Sequence, residues 1–263
     1  MKILNSCILA LLLSSLVFAE SGFLNRSVTM KGETFRYQVY LPADYNSKKS
    51  WPVIVSLHGN GPQGNDGQKH TESEALAVQI RQTPSLYPAI VIFPQAKVGT
   101  RWLYAEMEEL VIAELDETLS EFRGDPRRVY LQGHSMGATG AYRIAYRWPE
   151  RFAAVVASAG RVEPGSHYPP EQIQADRESN PFVTAPDPFG ELALGLKHIP
   201  LWIFHGDADE QVAVEQSRKL VAALKKVKGK VRYTEYPGAN HAGAPQKAFS
   251  EAEMIAWLFK QHR

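Results

Sequence analysis

The chain has 263 residues, 44% hydrophobic and 22% charged, enough to bury one large α/β core or two small ones. Its formal net charge is +1 and no basic stripe runs through it, so a nucleic-acid partner is excluded as an expectation. The only cysteine, Cys7, lies near the start, so the chain beyond it can form no disulfide, thiol nucleophile or cysteine-ligated metal site.

In chain order, the first element reads as a targeting segment. Lys2 supplies a positive start, residues 8–18 form an apolar run, and Val17-Phe18-Ala19 resembles a small-x-small cleavage site. Residues 1–19 are therefore expected to be a bacterial-type signal peptide. The mature protein, residues 20–263, would be secreted or periplasmic with no stable membrane anchor after cleavage. The run is short for a transmembrane helix.

Short apolar runs bounded by turn residues then recur. Residues 34–41 alternate as a half-buried strand and stop at Pro42, and residues 51–57 carry Val53-Ile54-Val55. Further strands are expected at 89–93, 128–132, 152–157, 201–204 and 231–236. Helical spacing is expected over 107–122, 138–148, 214–227 and 248–259. Buried strands alternating with helices predict a doubly wound, mostly parallel α/β sheet in one domain. Residues 161–200 break the rhythm with seven prolines and little periodicity. This segment is expected to form a short cap or lid insertion at the edge of the sheet where ligands bind.

The chemistry-bearing motif is Gly133-His134-Ser135-Met136-Gly137, a G-x-S-x-G between an expected strand and an expected helix. That context suits a serine on a strained turn with its hydroxyl exposed. A serine hydroxyl needs a general base, and the base needs a group to orient it. Of the eight histidines, His241 lies in a glycine-rich loop after the last strand and before the last helix, the best position for the base. His205-Gly206-Asp207-Ala208-Asp209 offers the acid. Asp209, on the far side of the turn, is favoured over Asp207, which could cap the turn instead, while His205 is expected to brace it. Two backbone N–H donors would bind the oxyanion: Met136 after the nucleophile, and Asn60 in His58-Gly59-Asn60-Gly61, with Gly61 behind it. Pro62 has no N–H. The same loop matches G-x-G-x-x-G at Gly59, Gly61 and Gly64, a rival dinucleotide signature. Pro62 interrupts it, however, and no acid stands about twenty residues on. No metal or cofactor motif is present in the sequence, and none is expected to be needed.

These residues together resemble the α/β-hydrolase superfamily. The narrower resemblance is to its small secreted esterase group: dienelactone-hydrolase-like proteins, predicted peptidases, feruloyl esterases and polyhydroxybutyrate-depolymerase-like esterases. The resemblance rests on residues 37–42, the 57–61 loop, Asp125 to Tyr130 leading into the elbow, the His205-Gly206-x-x-Asp209 turn and Gly238-x-Asn240-His241. It implies a serine carboxylic ester hydrolase working through Ser135, His241 and Asp209, and it likewise places the acid at Asp209. It also implies that Trp102 lines the substrate pocket, where His134 and Gly61 are expected as well. The implied partner is a small-molecule or polysaccharide-linked ester. A serine peptidase on the same triad, and a non-catalytic binding protein of this fold, remain the alternatives.

Overall fold

The structure, a computed structural model, describes residues 21–164, 170–179 and 182–263. The expected signal segment lies outside the described residues, as do residues 165–169 and 180–181. Among the described residues no helix is long and apolar enough to cross a membrane.

Among the described residues eight strands form one sheet in the order β1-β2-β4-β3-β5-β6-β7-β8. β1 (Gly22–Met30) and β2 (Glu33–Leu41) form an antiparallel hairpin. Its two turn residues, Lys31 at φ 53° and Gly32 at φ 82°, adopt the left-handed values that match the twist of the flanking strands. β2 also runs antiparallel to β4 (Ile90–Phe93). From there β3 (Trp51–Leu57), β5 (Gly124–His134), β6 (Ala154–Ser158), β7 (Leu201–Gly206) and β8 (Val231–Tyr236) are all parallel. The sheet is thus doubly wound and mostly parallel, as the sequence predicts.

Both faces of the central strands are covered, and period-2 alternation sorts their side chains. Val53, Val55 and Leu57 of β3 face one core, with α3 (Ala105–Glu121), α4 (Met136–Arg147), α6 (Pro188–Leu196) and α7 (Glu215–Lys226). Ile54 faces the other core, with α2 (Ala75–Gln82), α8 (Gly243–Ala248) and α9 (Ala252–Phe259). Two further described helices are α1 (His70–Ser73) and α5 (Pro170–Ser179).

Three expectations change. The helix expected over 248–259 starts only at Ala252, because Ala248 ends the preceding α8 and the chain breaks at the buried Phe249, whose carbonyl accepts the Tyr87 hydroxyl rather than continuing one helical ladder. β1 was not foreseen, because Asn25-Arg26-Ser27 interrupts its apolar pattern. The lid expected over 161–200 does not extend through 188–196. There α6 buries Phe189, Leu192, Ala193 and Leu196 and packs on α4 and α7 as the crossover helix between β6 and β7. Asp187 caps it, accepting Gly190 N–H at 3.0 Å, and Pro188 opens it. Pro188, opening the helix, and Pro200, just before β7, punctuate a βαβ unit.

Candidate active site

The C-terminal ends of β3, β5, β7 and β8 carry four turns whose residues line one cavity with Ser135. Ser135 joins β5 to α4 at φ 56° and ψ −119°, a left-handed conformation that costs a non-glycine residue about 1–3 kcal/mol. The turn can form only if the strand and helix approach closely. A Cβ on Gly133 would come within 2.7 Å of the Ala138 nitrogen, and one on Gly137 within 2.6 Å of the Leu57 carbonyl carbon. Ser135 N–H donates to Ser158 at 2.9 Å, and the Ser135 carbonyl accepts the Thr139 N–H at 3.0 Å, fixing the turn from both sides. The hydroxyl stands at the N-terminus of α4, where the helix dipole favours negative charge.

The turns after β7 and β8 are knitted together. Ala208 N–H donates to Ala239 at 3.1 Å, and a Cβ on Gly206 would come within 2.7 Å of the Ala239 carbonyl carbon. This brings Asp209 to His241, with Oδ2 at 2.7 Å from Nδ1. The other oxygen, Oδ1, accepts the N–H groups of Gln211 and Val212, each at 2.9 Å. Burial alone would raise the Asp209 pKa. Hydrogen bonds from His205, His241 and the Val212 N–H overcome it and hold the carboxyl well below its usual range. An ionised carboxylate only accepts, so His241 Nδ1 donates to it, leaving Nε2 as the nitrogen turned away from the acid. Asp207 is exposed and accepts Gly238 N–H at 2.6 Å, a turn-stabilising bond away from His241.

His134 reaches back to the same loop. Its Nε2 lies 3.0 Å from the His241 carbonyl, which can only accept, so Nε2 donates. Burial and the neighbouring His241 lower the His134 pKa to about 4, keeping the ring neutral in that tautomer. The two rings lie 4.7 Å apart.

The loop after β3 is set by His58. Its Nε2 accepts Ala96 N–H at 3.0 Å, so the proton sits on Nδ1 and is donated to the Gly59 carbonyl at 2.5 Å. Burial keeps this ring neutral, with its pKa lowered to about 3. In a trans peptide the carbonyl of Gly59 and the N–H of Asn60 point in opposite directions. Binding the carbonyl on the His58 side therefore turns the Asn60 N–H the other way. Gly59 itself lies against the elbow, where an added Cβ would be 3.7 Å from Ser135 Cβ.

Trp102 is not where the resemblance puts it. It is 0% exposed, lines neither cavity at Ser135, and donates its indole N–H to the His58 carbonyl at 2.9 Å. It buttresses the loop from below, wedged against Gly140 of the elbow helix. His134, Asn60 and Gly61 do border the large cavity, of about 930 Å³, together with Ser135 and His241. Met136 and Asn60 border a second space of about 40 Å³ that also touches Ser135. Sequence reading missed the cavity walls: Gln79 and Gln82 of α2, Gln246 of α8, and Arg101, Leu103 and Arg161 around the small space. None of them sits in a motif. Among the described residues no group of three or more His, Cys, Asp or Glu side chains could hold a metal.

Fold and site together define a serine hydrolase on the α/β-hydrolase fold, and comparison with known proteins places it further. Residues 100–263 match the Prolyl oligopeptidase family, and the chain belongs to that family. An uncharacterised peptidase of Bacillus subtilis, YuxL, is 25% identical over 246 residues, 84% of this chain and 36% of that protein. Acetylxylan esterase A of Emericella nidulans is 28% identical over 197 residues, 66% of this chain and 60% of that protein. The chain thus spans only part of the length of these relatives. Among solved structures, a thermostable esterase superposes with a TM-score of 0.73 at 28% identity, over 92% of this chain and 63% of its own. A ferulic acid esterase superposes with a TM-score of 0.71 at 15% identity, over 92% of this chain and 98% of its own, a likeness of fold.

Proposed function

We propose that the protein hydrolyses carboxylic esters through an acyl-enzyme on Ser135. The Ser135 Oγ attacks the ester carbonyl carbon while its proton passes to His241 Nε2. Asp209 holds the imidazole in the required tautomer and stabilises the cation that forms. The N–H groups of Asn60 and Met136 bind the oxyanion. The tetrahedral intermediate collapses, the C–O bond to the alcohol breaks, and His241 Nε2 returns the proton to the departing oxygen. Water then enters, loses a proton to the same nitrogen and attacks the acyl carbon; the bond to Ser135 Oγ breaks, His241 Nε2 returns the proton to that oxygen, and the acid leaves.

The observation that carries this reading is the 2.7 Å pairing of His241 Nδ1 with a strongly ionised Asp209, at the rim of the cavity that also holds Ser135. The esterase relatives at 28% identity support an ester as substrate, including one linked to a polysaccharide. A peptidase reading on the same three residues has the family and the Bacillus relative in its favour. The purified protein is expected to turn over p-nitrophenyl acetate, and Ser135→Ala to lower that turnover by about 10⁴-fold or more with the fold intact. Unchanged turnover in the variant, or cleavage of peptide anilides alone, would replace this reading.

Export is part of the same proposal. It is supported by the Lys2, apolar-run and Ala19 pattern and by an "Uncharacterized secreted protein" of Arthroderma benhamiae, 24% identical over 220 residues. Processing after Ala19, read by N-terminal sequencing of the exported protein, is the expected result.

A further inference from the structure

The near-neutral net charge of the chain conceals an uneven distribution. The connections that enter the parallel strands β3, β5, β6, β7 and β8 (residues 42–50, 122–128, 148–153, 197–200 and 227–230) hold nine Lys and Arg against three Asp and Glu. The connections that leave β3, β4, β6, β7 and β8 on the Ser135 side (58–69, 94–104, 159–164, 207–214 and 237–242) hold four against five. Parallel strands share one direction, so the molecule has a basic end opposite its catalytic end.

The charge is densest at one turn. α7 closes with Lys225 and Lys226, Lys228 follows at φ 57°, and Lys230 leads into β8. Lys230 N–H donates to the Lys197 carbonyl at 3.3 Å, which brings the connection before β7 against this turn. Four of these five lysines are exposed and Lys197 is half-buried. Among the described residues none of the five makes an ion pair. The C-termini of α6 and α7 together carry the equivalent of about one negative charge, far less than five cations need. Leu194, 50% exposed, stands beside them and lines a cleft of about 450 Å³ with Ala223, Lys226 and Val227. The two acids of that cleft, Asp187 and Glu191, belong to the start of α6, where they accept the Gly190 N–H and the Tyr146 hydroxyl.

We infer that this basic end docks reversibly on an anionic lipid bilayer, with the lysines against headgroup phosphates and Leu194 entering the lipid, so that Ser135 faces away from the membrane. An exposed leucine beside lysines suits a layer of anionic headgroups over hydrocarbon, whereas a nucleic acid or an acidic glycan offers the leucine nothing. The chain also enters the molecule at this end. Gly22 pairs with Leu41, just before the connection into β3, so the preceding chain with its apolar run at 8–18 joins the basic end. The turn of Asp207, Asp209 and Glu210 lies at the other end, where repulsion from an anionic surface turns the catalytic edge outward.

The test is co-sedimentation of the exported protein with vesicles of phosphatidylcholine, alone or mixed with phosphatidylglycerol. Binding to the mixed vesicles only, lost as salt is raised, is the expected result. Lys228→Gln combined with Lys230→Gln should weaken it by about tenfold or more, at roughly fivefold per lysine. Lys31→Gln combined with Lys69→Gln, an equal loss of charge at the catalytic end, should change it by less than about twofold. Leu194→Ser should weaken vesicle binding by about threefold or more and leave binding to heparin unchanged. All these positions are on the surface, and thermal melts matching wild type would separate docking from stability. No preference for anionic vesicles, or equal losses from the two lysine pairs, would overturn the inference. Tighter binding to heparin or RNA than to the vesicles, with Leu194→Ser behaving as wild type, would replace the bilayer with a soluble polyanion. None of these outcomes depends on ester hydrolysis.

Discussion

His205 Nε2 lies 3.2 Å from Oδ2 of Asp209, the same oxygen that His241 Nδ1 approaches from the other side. Nε2 is also 2.9 Å from the Val212 carbonyl, so it faces two acceptors and must carry the proton, while Nδ1 accepts the Ser217 hydroxyl at 2.7 Å. The buried ring thus braces the acid turn, as the sequence suggested, and also aims and ionises the acid itself.

It follows that His205→Ala should lower kcat by roughly tenfold with little change in KM, the size typical of losing a partner that orients a reacting group. His205→Gln, which keeps a donor, should recover part of the loss. Steady-state kinetics on both variants decide the point. Equal losses in the two would reduce His205 to a packing residue.

The two aspartates of the turn should behave differently. Asp209→Asn, which removes the acceptor at His241 Nδ1, should lower kcat by about 10⁴-fold. Asp207→Asn loosens only the bond to Gly238 and should leave kcat within about threefold, as befits an exposed hydrogen bond. The reverse order would reassign the acid.

Trp102 offers a test of where substrate lies. Trp102→Phe keeps a ring under the loop and loses the N–H bond to the His58 carbonyl. A hydrogen bond of about 1 kcal/mol corresponds to roughly a fivefold fall in kcat through a less well-held Asn60 N–H. KM should hold steady. A rise in KM at constant kcat would put Trp102 back against the substrate.

Much of this was legible in the chain because the elements concerned obey local rules. β3 is buried along its whole length, so its run of apolar residues reads directly as a central parallel strand. Gly133 and Gly137 are fixed by steric closeness that leaves no room for a Cβ, which is why the pentapeptide is informative. Tertiary context hid the rest. The resemblance put Trp102 at the pocket, yet its partner is the His58 carbonyl 44 residues away. The prolines of 186–188 look like loop, but Asp187 and Pro188 start a helix. The cavity walls come from α2 and α8, whose glutamines follow no motif and converge only through the sheet order.

Away from the site, Glu114 should govern stability against pH. Its side chain is wholly buried in α3, neither oxygen has a hydrogen-bond partner, and burial pushes its pKa well above the usual carboxylate range. The folded state therefore retains a proton that the unfolded chain loses near pH 4.3, so this residue makes stability fall as pH rises above that value. Glu114→Gln should remove that slope, leaving the variant about 1–3 kcal/mol more stable relative to wild type at pH 8 than at pH 5. Thermal melts at the two pH values provide the comparison, and parallel behaviour of the two proteins would contradict it.

The central claim is that Ser135 becomes covalently acylated. Treating the protein with a fluorophosphonate and mapping the modified peptide by mass spectrometry tests it directly. A single adduct on Ser135, lost in Ser135→Ala and strongly slowed in Asp209→Asn, is the expected result. An adduct on another residue, or none on correctly folded protein, would contradict the account.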